Sequence, residues 1–104
     1  MDFEELRESA HQASRLLKSL ANERRLIVLC HLSQGEKSVS ELEQLVDLSQ
    51  SALSQHLARL RREHLVTTRR EAQTIYYSVS SPEALAVIET LYGIFCGKET
   101  GAKS

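Results

Sequence analysis

At 104 residues, with 41% hydrophobic and 26% charged side chains, the chain has the length of one domain (1–104) and an ordinary globular composition. The longest apolar runs, Leu26–Cys30 and Ala84–Ile88, are too short to cross a bilayer, and the acidic start Met1-Asp2-Phe3-Glu4-Glu5 lacks a signal-peptide pattern; a cytoplasmic protein with no membrane partner is expected. A net charge of −1 gives no overall attraction to nucleic acid, and two cysteines, Cys30 and Cys96, make neither a disulfide framework nor a zinc-ligand spacing.

Phe3, Leu6, Ala10, Ala13, Leu17 and Leu20 recur at helical spacing and predict a helix over about 3–20. Asn22 is placed to cap a second helix running to about Leu32, which Gln34-Gly35-Glu36 ends. Ser40 with Glu43 fits a capping box, with Val39 as its hydrophobic staple, for a short helix over about 40–46. Val46-Asp47-Leu48 then form a turn, and Ser49 caps a longer helix over about 50–63. Two helices joined by so short a turn, over about 39–63, make a helix-turn-helix.

Leu65–Arg69 and Ile75–Val79 are rich in β-branched and aromatic residues and predict a hairpin, with Arg70–Thr74 as its loop. A hairpin directly after such a helix pair is a wing, here about 65–79. Ser81-Pro82-Glu83 begin a last helix over about 82–96, with Leu85, Ile88, Leu91, Tyr92 and Phe95 on an apolar face. The expected fold is mainly α with a small β-hairpin: a winged helix-turn-helix of five helices, in the order helix, helix, helix-turn-helix, hairpin, helix.

Charge is unevenly spread along this order. Residues 49–75 hold five arginines, no lysine and two glutamates, a net of +3, and the remainder carries eight basic against twelve acidic residues, a net of −4. On the helix from Gln50, about 100° per residue places Leu53, Leu57 and Leu60 on one stripe. Ser51, Gln55, Ala58 and Arg62 fall opposite, with Ser54, Arg59 and Arg61 on the flanks. Gln50, Ser51, Ser54 and Gln55 are therefore candidate base readers, and Arg59, Arg61 and Arg62 candidate phosphate contacts, with Arg69 and Arg70 reaching the duplex from the wing. The same helix carries His56 at the boundary of its apolar stripe and His64 on the core side of its end. No nucleophile–base spacing, phosphate-cradling glycine loop or paired-carboxylate motif points to an enzyme.

The segment Leu48–Leu57 followed by Leu60-Arg61, the opening Leu20-Ala21-Asn22-Glu23-Arg24-Arg25-Leu26 and the wing ending Ile75-Tyr76-Tyr77 resemble the ArsR family of bacterial repressors over roughly 13–96. That resemblance implies a homodimer built through the helices at about 3–20 and 82–96, repressing from double-stranded operator DNA until an inducer binds. Metal-sensing members carry two cysteines where this chain has Ser38 and Ser40, and hydroxyls are poor ligands for soft metals. A second family metal site uses Asp, His and Glu on the last helix, which here contains no His, so no metal and no cofactor are expected.

Asn22 through Cys30, Gln50 to Leu57 and Glu71-Ala72-Gln73-Thr74 resemble more narrowly the BigR/SqrR/HlyU subgroup, which senses persulfides. That resemblance assigns Cys30 and Cys96 as a redox-sensing dithiol with reactive sulfur species as inducer. Two alternatives stay open at this point. One is a regulator or anti-repressor whose cysteines are inert packing, the other a metal-responsive repressor. A winged helix serving as a protein-interaction module without DNA is the competing class.

Overall fold

The computed structural model describes residues 2–96. Its elements follow from local chemistry at nearly every boundary. Helix α1 (Phe3–Leu20) is capped by Asp2, and α2 (Glu23–Ser33) by Asn22, whose side chain accepts from the Arg24 and Arg25 amides, both at 3.0 Å. A two-residue strand β1 (Lys37–Ser38) precedes the short helix α3 (Val39–Leu45). Then come α4 (Gln50–Arg62), capped by Ser49, strands β2 (Val66–Glu71) and β3 (Thr74–Val79), and α5 (Pro82–Phe95), capped by Ser81 with Pro82 in its first turn.

Four local details differ from the sequence expectations. The capping box of α3 lies two residues earlier than Ser40/Glu43: the Ser38 hydroxyl accepts from the Glu41 amide at 3.1 Å, and the Glu41 carboxylate accepts from the Ser38 amide at 2.7 Å. Both spacings satisfy the same motif, and the pairing of β1 selects the earlier one. The sheet has three strands rather than two, in the order β1-β3-β2, with Lys37 opposite Tyr77 and Ser38 opposite Tyr76. A two-residue strand is too short to show alternation. The hairpin loop shrinks from 70–74 to Ala72 and Gln73, because Arg70 pairs with Ile75 and Glu71 with Thr74.

His64, expected on the core side, is exposed with φ 64°. The chain leaves α4 there through a Schellman turn: the Leu65 amide donates to the Leu60 carbonyl at 2.9 Å and the His64 amide to that of Arg61 at 3.0 Å. This turn buries Leu65 and sends the His64 side chain outward.

The core lies among α2, α3, α4 and α5, where Val28, Leu29, Leu42, Leu53, Leu57, Leu60 and Ile88 are fully buried. Helix α1 contributes chiefly its C-terminal end, Leu20, with Leu16 packed against the core from outside. Among the described residues, nothing covers the rest of its apolar stripe. Phe3 is 76% exposed, and on α5 Phe95 is 70% exposed, together with Leu6, Leu17, Tyr92 and Ile94.

Candidate nucleic-acid interface and cysteine pair

Burial of Leu53, Leu57 and Leu60 fixes the rotation of α4 and turns Gln50, Ser51, Ser54 and Gln55 to solvent along its first two turns. The opening turn carries no acidic residue, which leaves the positive end of the helix dipole unneutralised beside these polar side chains. Arg61 and Arg62 follow on the exposed side of the last turn. With Ser54, Ala58 and Tyr77 of β3 they line a groove of about 440 Å³ between α4 and the sheet. Recognition helix and wing thus share one side of the molecule.

The five arginines of the basic segment do not form one group. Arg61, Arg62 and Arg70 are exposed and make no ion pair among the described residues. Arg59 is half-buried on the other flank of α4, where its Nε donates to Glu63 Oε2 at 3.2 Å. Glu63 also accepts from the Ser19 hydroxyl of α1, and Arg25 of α2 lies near enough to add to its field. Burial, the largest single influence, pulls the Glu63 pKa upward, but the Ser19 hydrogen bond and the two arginines together outweigh it and hold the carboxylate below its usual range. Glu63, at the end of α4, thus links that helix to Ser19 of α1, with Arg59 as its partner on α4. Arg69 is also engaged, on the wing, by Glu36 and Glu71. No periodicity flags Glu36, or the bond of Glu63 to Ser19, because those partners lie 33 and 44 residues away in sequence.

His56, half-buried on α4, sits at the boundary expected of it. Burial first, then Arg25, Arg24 and Arg59, lower its pKa.

The packing of α5 on α2 brings the two cysteines together across 66 residues of sequence. Cys30 is half-buried at the edge of the core, and Cys96 is exposed at the C-cap of α5, where its amide donates to the Tyr92 carbonyl at 2.7 Å. Burial pushes the Cys30 thiol up, and Cys96 is close enough to add to that shift through its own charge. Both are free thiols. Ser38 is buried with its hydroxyl committed to the α3 cap, and Ser40 is exposed. Among the described residues, no three His, Cys, Asp or Glu side chains converge as metal ligands, and no helix is long and apolar enough to cross a membrane.

A short helix, a tight turn, an outward-facing helix that is polar then basic, and a three-stranded wing define a winged helix-turn-helix DNA-binding regulator. Residues 22–68 match the sequence model of the bacterial regulatory protein, arsR family. The chain is 53% identical over 96 residues to the transcriptional activator HlyU of Vibrio cholerae, spanning 92% of this chain and 89% of that protein. It is 48% identical over 90 residues to a biofilm growth-associated repressor of Agrobacterium fabrum, spanning 86% and 77%. The solved structure of reduced HlyU from Vibrio cholerae superposes with a TM-score of 0.85 at 54% identity, covering 88% of this chain and 97% of that one. The chain belongs to the arsR family of bacterial regulatory proteins; it is a DNA-binding transcription regulator and not an enzyme.

Proposed function

We propose that the protein binds operator DNA as a homodimer and that sulfur chemistry at Cys30 and Cys96 switches its affinity. Gln50, Ser51, Ser54 and Gln55 read base edges, while Arg61, Arg62 and Arg70 meet phosphates. The uncovered apolar side chains of α1 and α5, Phe3, Leu6, Leu17, Tyr92, Ile94 and Phe95, supply the surface for a second copy. The two relatives named above regulate with opposite signs, as activator and as repressor. Occupancy of a promoter accommodates both, by blocking polymerase or by displacing another repressor.

The observation that carries the switch is the approach of Cys96 to Cys30 across the α2–α5 contact. Exposed Cys96 attacks first: its thiolate takes the outer sulfur of a persulfide and expels that molecule's thiolate, leaving a persulfide on Cys96. A second persulfide then oxidises this group and the Cys30 thiol to a trisulfide bridge, and is itself reduced to a thiol and hydrogen sulfide. A bridge between α2 and the end of α5 shifts the dimer helices, and with them the spacing of two recognition helices that must match half-sites about 34–36 Å apart.

Reduced protein treated with a persulfide donor is expected to gain the mass of the bridge and lose operator affinity. Cys30→Ser and Cys96→Ser are expected to keep full affinity under the same treatment. A response that survives either substitution rules the switch out and favours cysteines that only pack.

A further inference from the structure

The wing carries two adjacent arginines, and strand alternation sends them to opposite faces of the sheet. The pairs Thr68–Tyr77 and Arg70–Ile75 place Arg70 on the face that Tyr77 turns toward the core and toward the groove beside Arg61 and Arg62. Arg69 pairs with Tyr76 and belongs to the other face.

There the Arg69 guanidinium lies 4.5 Å from the centroid of the Tyr76 ring. Its Nε and Nη2 donate to the two Glu36 carboxylate oxygens at 2.7 and 2.9 Å, and its Nη1 donates to Glu71 at 3.1 Å. Glu36 immediately precedes β1, which pairs with β3 on the side away from β2. One side chain therefore straps the whole sheet, from β2 over Tyr76 on β3 to the start of β1. Three of its five N–H donors are engaged and two carboxylates offset its charge, which weakens the pull of a phosphate on this side chain.

We infer that Glu36 and Arg69 are positioning residues: the strap sets the angle of the wing to α4 so that Arg70 meets the DNA backbone, and Arg69 makes no phosphate contact of its own. This rests on α4 and the wing being the DNA interface. A two-stranded ribbon alone is marginally ordered, and fixing it beforehand lowers the ordering cost of binding. Glu36 provides a test of sign. As a bare negative charge near DNA it weakens binding, so its removal tightens the complex; as the anchor of the strap, its removal loosens it.

The experiment measures affinity against salt concentration by anisotropy, on a fluorescent duplex covering the promoter of the protein's own gene, with thermal melts showing that each variant is folded. Arg70→Gln is expected to weaken binding about tenfold and to reduce the salt slope by about two per dimer, one lost phosphate contact on each protomer. Glu36→Gln, Arg69→Gln and Arg69→Lys are each expected to weaken binding several-fold with the slope unchanged, Lys failing because it keeps the charge but not the bidentate geometry. The Glu36→Gln/Arg69→Gln double variant is expected to bind no worse than Arg69→Gln alone. Faster amide exchange in β2 and β3 is expected in the strap variants and not in Arg70→Gln. The inference is overturned if Arg69→Lys binds like wild type while Arg69→Gln loses slope, or if Glu36→Gln tightens binding. Should Arg61→Gln and Arg70→Gln both leave affinity and slope untouched, the interface itself is misassigned and the strap has nothing to position.

Discussion

Arg25 Nε donates to the Ser19 carbonyl at 2.8 Å, so a side chain from the first turn of α2 caps the last turn of α1. Its Nη2 adds a longer bond to the Lys18 carbonyl at 3.4 Å, and the residue is only 7% exposed. Helix C-termini leave carbonyls without partners, and burying them unpaired is costly. Arg25→Ala is expected to lower stability by about 2–3 kcal/mol, read as a lower urea midpoint with unchanged slope.

The capping box at Ser38 separates two serines, Ser38 and Ser40, by their effect. Ser38→Ala is expected to cost about 1 kcal/mol, because the Glu41 amide loses its acceptor at the start of a seven-residue helix. Ser40→Ala, at an exposed position inside the helix, is expected to stay within about 0.5 kcal/mol of wild type. Equal effects of the two in denaturant titrations place the cap elsewhere.

His64 holds φ 64°, a conformation in which a Cβ is unfavourable and glycine is not. His64→Gly is expected to stabilise the protein by about 0.5–1 kcal/mol, and His64→Val to destabilise it by about 1–2 kcal/mol. The thermal midpoints of the two variants should move in opposite directions.

His56 makes stability depend on pH in a definite direction. Burial and three arginines depress its folded pKa below the ordinary 6.5, so between the two values the unfolded chain binds more protons than the folded one. Stability is therefore full above about pH 6.5 and falls as acid carries the solution down through the folded pKa. His56→Gln is expected to flatten the loss that sets in below about pH 6.5, measured by urea unfolding at each pH; an unchanged loss assigns it to other groups.

Cys30 is expected to alkylate more slowly than Cys96, and its rate is expected to rise only at a pH above that of an ordinary thiol, since burial and then Cys96 oppose its thiolate. In Cys96→Ser, loss of the neighbouring charge is expected to move the Cys30 profile down in pH without restoring that of a free cysteine. Mass-resolved iodoacetamide labelling reads both. Cys30 labelling ahead of Cys96 reverses the order of attack proposed above.

The helices, their caps and the outward face of α4 are legible along the chain because each depends on neighbours within a turn or two. The Leu53, Leu57 and Leu60 stripe, Asn22, Ser49 and the Ser81-Pro82 start all read locally. The capping-box spacing fits both Ser38 and Ser40, and a two-residue strand shows no period, so Ser38 and β1 are fixed only by their cross-strand partners.

Five arginines in one basic segment look alike as letters. Their sorting into free cations, a tie between helices and a strap across the wing depends on Glu63, Ser19, Glu36 and Tyr76, which reach them through packing. The nearness of Cys30 and Cys96 is of the same kind, a product of α5 lying on α2. Hydrophobic spacing and hydrogen-bonded caps act over a few residues and are written in order along the chain. Ion pairs and thiol contacts act through space, and only the packed helices and sheet set which charges and sulfurs meet.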